Sequence, residues 1–165
     1  MARSALTLRA KVLTVSDGVA DGSREDRSGT ALAARLLEGG FDVVEHRVSA
    51  DGRDAVAAAL QELTAGFAGL VVTTGGTGFG PRDLTPEGTR AVIDREAPGL
   101  AEAMRRVSDG DDRVFGMLSR GVCGSTGAAL VCNLPGSSSG AVECLEAILS
   151  AVPHALELLA GGRPH

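Results

Sequence analysis

The chain has 165 residues, 44% hydrophobic and 22% charged, a globular composition and not a disordered one. A net charge of −5, no Trp or Tyr and only four Phe argue against a nucleic-acid partner, because neither a basic surface nor stacking platforms are available. Lys11 is the only lysine among sixteen basic residues, which nearly excludes a lysine-dependent P-loop or Schiff-base enzyme.

Cys123, Cys132 and Cys144 are odd in number and lack C-x-x-C spacing, and His46, His154 and His165 are scattered, so no zinc constellation forms. The cysteines are expected as small core residues in a reducing compartment. Arg9 and Lys11 interrupt any apolar signal core, and no run approaches the ~20 apolar residues that span a bilayer. The expectation is a soluble cytoplasmic protein with no membrane or nucleic-acid partner.

In chain order, Leu8–Ser16 is a β-rich run, and a polar loop over 17–27 leads to a helix over Ser28–Glu38 that Gly39-Gly40 stops. Phe41–Ser49 is a second strand. Val56, Leu60, Leu63 and Phe67 recur at helical spacing and predict one apolar helix face. Ala68–Thr74 has the uncharged composition of a central parallel strand covered on both sides.

Thr85-Pro86-Glu87 reads as a helix start, with Thr as the cap and Pro at the first position. A further helix is expected over Gly99–Val107, then a surface loop at 108–112. Short strands around Met117–Cys123 and Ala128–Asn133 are expected to form a hairpin through Gly124–Gly127. The last helix starts near Ser138 with Val142, Leu145, Leu149 and Val152 on its apolar face, and Pro153 kinks or interrupts it. Three β-to-α passages imply an α/β fold, a mostly parallel sheet with helices on both faces, in one domain spanning 1–165.

Ligands of open α/β sheets sit beyond the carboxyl ends of the strands. That directs attention to Ser16-Asp17, Asp51, Thr74 to Asp83, Ser119-Arg120 and Asn133 to Ser137, where Gly, Ser, Thr and Asp concentrate. Four glycines in Gly75-Gly76-Thr77-Gly78-Phe79-Gly80 let backbone N–H groups converge on an anion, or they form a flexible turn. The segment is neither a Walker A nor G-x-G-x-x-G. Asp83 and Asp51 are each either a helix-start residue or a Mg²⁺ ligand shared with phosphate oxygens. Asn133-Leu134-Pro135-Gly136-Ser137 opens the final helix as an anion site or a plain cap. Arg120 either meets a phosphate or is a solvated charge.

The segments Val15-Ser16-Asp17, Asp26-Arg27-Ser28-Gly29, TTGGTGFGPRDLTPE from Thr73, PGLAEAMR from Pro98, Leu118-Ser119-Arg120 and NLPGS from Asn133 resemble the MogA/MoaB family of molybdenum-cofactor biosynthesis, which includes gephyrin-like G domains. The resemblance spans roughly residues 8–158. It implies a three-layer α/β molybdopterin-binding domain, usually trimeric. It also implies adenylyl transfer from Mg-ATP to the terminal phosphate of molybdopterin, with hand-over to a molybdenum-insertion enzyme. By matching positions, Asp51 and Asp83 are the catalytic acids at Mg²⁺ and the ATP phosphates. Thr74, Gly75, Gly76, Thr77 and Gly78 are the phosphate cradle. Ser16, Asp17, Ser119, Asn133, Pro135, Gly136 and Ser137 line the pterin and nucleotide pocket, and Arg120 is a candidate phosphate contact.

Many relatives follow N-L-P-G with a Pro-Lys pair, whereas this chain has Ser137-Ser138-Ser139-Gly140. The alternative function is a MoaB-like module that binds molybdopterin without catalysis. A detached molybdenum-insertion domain like that of the MoeA proteins fits less well, since those chains carry several further domains.

Overall fold

The computed structural model describes residues 7–110 and 116–163; Asp111, Asp112 and His165, which figured in the expectations above, lie outside them. Six strands form one sheet in the order β2-β1-β3-β6-β5-β4, made of β1 (Arg9–Val15), β2 (Asp42–Ser49), β3 (Gly69–Thr74), β4 (Arg95–Glu96), β5 (Cys123–Thr126) and β6 (Ala129–Leu134). Pairs β1·β2, β1·β3 and β3·β6 are parallel, while β5 pairs antiparallel with both β6 and β4. The chain therefore runs from β1 outward to β2, then returns to the other side of β1 for β3. That reversal places a crevice at the carboxyl ends of β1 and β3, where α/β sheets bind ligands.

The helices are α1 (Asp17–Ala20), α2 (Arg27–Glu38), α3 (Arg53–Thr64), α4 (Thr85–Arg90), α5 (Pro98–Ser108), α6 (Ser138–Leu149) and α7 (Val152–Leu159). Alternation along the strands divides the core in two. Val12, Leu70, Val72, Leu130 and Leu134 pack with Leu32, Leu36, Met104, Leu145 and Ile148 on one face. Leu13, Val15, Val71 and Val131 pack with Val56, Leu60 and Leu63 on the other. β3 and β6 are buried at every position, which is why neither shows polar alternation in sequence.

Several expected boundaries shift. The hairpin turns at Gly127-Ala128, so Gly124-Ser125-Thr126 is strand, while Met117-Leu118 belongs to a 3₁₀ turn. α3 stops at Thr64, and Phe67 reaches the core from the following loop, where Arg9 and Lys11 lie over its ring. The core face of α6 is Ala141, Cys144, Leu145 and Ile148, one residue round from the expected stripe. Leu84, not Thr85, caps α4, leaving the Thr85 hydroxyl to donate to Gly75 O at 2.9 Å. The expected interruption at Pro153 is present: α6 ends at Leu149 and Pro153 falls in the first turn of the separate helix α7, where its missing N–H is dispensable.

The small elements α1 and β4 were not foreseen, being too short to show a period. The three cysteines are free and buried. The adjacent Cys123 thiol and full burial push Cys132 well above the ordinary thiol range, which suits a core filler. Among the described residues no helix is long and apolar enough to cross a membrane.

Candidate functional site

Two cavities open beyond the strand ends. The larger, about 730 Å³, collects Ser16, Asp51, Thr74, Gly75, Gly76, Asp83, Gly136 and Ser137 from the expected set. The smaller, about 230 Å³, collects Ser119, Asn133, Pro135 and Ser137 against Met104, Arg105, Glu143 and Cys144. Ser137 lines both cavities and marks where the two meet.

The turn after β3 can be made only by glycine. Gly75 and Gly76 have φ of +100° and +68°. A Cβ on Gly75 would lie 2.2 Å from Val15 O, and one on Gly76 would lie 2.2 Å from the Thr85 hydroxyl. The Gly75 N–H is spent on Leu134 O at 3.2 Å, and Thr74 Oγ1 donates to Pro135 O at 2.8 Å, so the turn is stitched to the N-L-P-G segment. The N–H groups of Gly76, Thr77 and Gly78 donate to no acceptor among the described residues. Of the expected cradle, Thr74, Gly75 and Gly76 line the larger cavity, with the α6 N-terminal cap Ser137, which accepts from Gly140 N; Thr77 and Gly78 line neither cavity.

Both aspartates contribute one oxygen to the fold and keep the other. Asp51 does not cap α3, whose cap is Gly52; its Oδ2 accepts from Asp17 N at 2.8 Å. In return Asp51 N donates to Asp17 Oδ1 at 3.1 Å. The remaining Asp51 oxygen points at the glycine turn, 3.3 Å from where a Gly76 Cβ would stand. Asp83 Oδ2 accepts from Gly80 N at 2.9 Å and closes the loop on itself.

Asp17 stays at the rim. Arg82 holds it with Nε and one terminal nitrogen at 2.6 and 3.0 Å and also donates to Asp51 O at 2.9 Å. That guanidinium draws the Asp17 carboxyl below its ordinary range, and the carboxylate raises Arg82 in turn.

Arg120 turns inward. Its Nε donates to Gly78 O at 2.8 Å, one terminal nitrogen to Asp83 O at 2.5 Å, and the other to Glu87, while its backbone N–H donates to Thr77 O. The same guanidinium lies over the Phe79 ring. Arg120 holds the Gly-rich loop by its carbonyls, and Glu87 is pulled below the ordinary carboxylate range by it.

Asn133 is buried and crosslinks three elements. Its amide donates to the hydroxyls of Thr73 and Thr89 at 3.0 and 2.9 Å, and its oxygen accepts from Val122 N at 3.1 Å. Thr77 is buried.

In the sequence, the first turn of α2 enters only as part of the family resemblance and carries no site role. Asp26 caps that helix through Gly29 N at 2.9 Å, and its other oxygen meets both the Thr14 hydroxyl and His46 Nε2 at 2.8 Å. Arg24 and Arg27 line the larger cleft beside it. The spacing Asp26-x-x-Gly29 carried a cap signal; nothing in the sequence tied it to His46, twenty residues on.

The description "Probable molybdopterin binding domain" fits residues 11–154. A Helicobacter pylori protein named molybdopterin adenylyltransferase is 37% identical over 158 residues, covering 94% of this chain and 89% of that protein. The crystal structure of the molybdopterin biosynthesis enzyme MoaB from Thermus thermophilus is 43% identical with TM-score 0.87, covering 94% of this chain and 98% of that one. The molybdopterin biosynthesis Mog protein from Mycobacterium ulcerans is 40% identical with TM-score 0.86, over 94% and 98% of the two chains. With a glycine turn, paired aspartates and an N-L-P-G helix start converging on one crevice, this chain belongs to the molybdopterin-binding domain family of the MogA and MoaB proteins of molybdenum-cofactor biosynthesis.

Proposed function

We propose that the protein is a molybdopterin adenylyltransferase that joins the terminal phosphate of molybdopterin to the α-phosphate of ATP and releases pyrophosphate. The observation that carries this reading is the pair of cavities that share Ser137 at the start of α6. One is acidic and amide-lined, and the other is small and partly apolar. A flat, polar heterocycle suits the smaller pocket, with Met104 and Pro135 for its faces and Ser119, Arg105 and Glu143 for its edges. A nucleotide suits the larger, and the two phosphates meet at the shared rim.

Two aspartates, each with one oxygen not engaged by the fold, are the donor set of an ion that arrives with a phosphate rather than one caged by protein. Among the described residues no cluster of three or more acidic, His or Cys groups forms such a cage. Asp51 and Asp83 would hold the Mg²⁺ of Mg-ATP, which neutralises charge on the phosphate chain.

The chain's own residues supply position and polarity. The Gly76 amide, which lines the larger cleft and has no acceptor among the described residues, donates to a phosphoryl oxygen together with the α6 N-terminus at Ser137–Ser138. A phosphate oxygen of molybdopterin forms the new bond to the α-phosphorus as the bond to the β-phosphate oxygen breaks and pyrophosphate leaves. No protein nucleophile is needed, since phosphoryl-type transfer depends chiefly on positioning and electrostatics. Arg120 and Arg82 hold the loops that carry Asp83 and Asp51.

The proposal extends to a cytoplasmic homotrimer, one molybdopterin-binding domain per chain, that passes its product to a molybdenum-insertion enzyme. The test is incubation of the protein with molybdopterin, ATP and Mg²⁺, with adenylylated product followed by mass. Mg²⁺-dependent product that drops by about a hundredfold or more in Asp83→Asn supports the transferase. Tight pterin binding with no product replaces it with a non-catalytic binding module.

A further inference from the structure

The larger cleft is acidic where its proposed ligand is also acidic. Asp26, Asp51 and Asp83 line it with Glu25, against two cationic side chains, Arg24 and Arg27. The Gly-rich turn and Ser137–Ser138 bring amides and hydroxyls but no charge. A nucleotide phosphate chain adds several negative charges to this surface, so the positive side chains decide whether it can bind.

The nearby arginines are otherwise engaged. Arg82 is paired with Asp17, and Arg120 is bonded to the carbonyls of its own loop and to Glu87. Arg27 Nε lies 3.3 Å from Glu25. Arg24 makes no side-chain hydrogen bond or ion pair with any described residue, and it lines the cleft.

Its placement is nonetheless fixed at the stem. Arg24 N donates to Gly18 O at 3.0 Å. The side chain then crosses α1 where Gly18 leaves a notch, since a Cβ at that glycine would lie 2.6 Å from Arg24 Cδ and 2.9 Å from Cγ. A seated stem with an uncommitted guanidinium loses little conformational entropy when it meets an anion, and a guanidinium matches phosphate oxygens in geometry.

We propose that Arg24 grips the phosphate chain of the nucleotide from the α1 side of the larger cleft and so sets nucleotide affinity. The inference rests on the adenylyltransferase reading for the identity of the ligand, and on the cleft's charge for its chemistry.

The experiment compares the full-length wild type with Arg24→Gln, Arg24→Lys and Gly18→Ala. KM for ATP, KM for molybdopterin and kcat are measured, together with inhibition by inorganic tripolyphosphate. Arg24→Gln is expected to raise KM for ATP by about tenfold and to weaken tripolyphosphate by the same factor, as for loss of one charge-assisted hydrogen bond. KM for molybdopterin and kcat stay near wild type, Arg24→Lys recovers part of the loss, and the difference shrinks at high salt. Gly18→Ala, which fills the notch, reproduces the ATP defect without removing the charge.

Wild-type ATP and tripolyphosphate behaviour in Arg24→Gln overturns the proposal. So does a defect confined to molybdopterin, which assigns Arg24 to the pterin phosphate instead. If the wild type forms no product, the adenylyltransferase reading fails separately. Calorimetric binding of tripolyphosphate then decides Arg24 alone: weaker binding by Arg24→Gln upholds it, and equal binding refutes it.

Discussion

Asn133 lies in the N-L-P-G segment and touches the smaller cavity, yet its side chain is spent inside the fold, which makes its replacement a test of stability before function. In Asn133→Ala, Val122 N–H loses its side-chain acceptor, and the Thr73 hydroxyl loses the one partner described for it. Thr89 is hurt less, because its hydroxyl still donates to Thr85 O at 2.8 Å. Each buried group left unsatisfied costs about 1–3 kcal/mol, and the void left by the amide adds about 1 kcal/mol. The sum is a loss of about 3–7 kcal/mol, or at least about 6 °C in Tm for a chain of this length. Equilibrium urea denaturation measures it directly, with an unchanged m value expected. Ser137→Ala in the same segment, which removes only an exposed cap, costs about 1 kcal/mol and serves as the comparison. If Asn133→Ala unfolds within about 1 kcal/mol of wild type, the crosslink argument is wrong and Asn133 acts mainly on ligand.

Gly76→Val places a branched side chain at φ +68° and against the Thr85 hydroxyl, so phosphate binding should fall at least about tenfold as the amide cradle deforms; unchanged ATP affinity by calorimetry counts against the cradle. Arg120 holds Glu87 below its ordinary value of 4.5, and Arg82 holds Asp17 below 3.8, so both pairs stabilise the fold fully above those values. That stability is lost as pH falls through the lowered folded values, because the unfolded chain then takes up protons first. Tm should hold steady from neutral pH down to about 5 and then fall, less steeply in Glu87→Gln; parallel curves for the two proteins would rule the pair out as a contributor. Light scattering should give the mass of a trimer of this 16.7 kDa chain, and a monomer overturns that part of the proposal.

Local chemistry wrote much of this protein into its sequence. The uncharged run at β3, the helical spacing of Val56, Leu60 and Leu63, and the glycines after Thr74 each follow from neighbours in the chain; burial bears out the first two and positive φ at Gly75 and Gly76 the third. The β-to-α alternation implied the parallel sheet, and the loop chemistry after each strand pointed to its carboxyl edge. The motif order from Val15 to Ser137 named the family through resemblance.

What one chain segment does to another fifty residues away is different in kind, because a side chain's partner depends on three-dimensional approach and leaves no local period. Asp51 looked equally like a helix cap until the fold brought Asp17 N to it at 2.8 Å. Arg120 looked like a phosphate contact or a solvated charge, and the tertiary structure spends it on Gly78, Asp83 and Glu87. Arg24 and Gly18 drew no attention in the sequence, yet the return of the loop over α1 seats one in the gap left by the other. Sequence determined which segments meet at the edge of the sheet; only packing decided which of their charged groups hold the loops together and which remain open to a ligand.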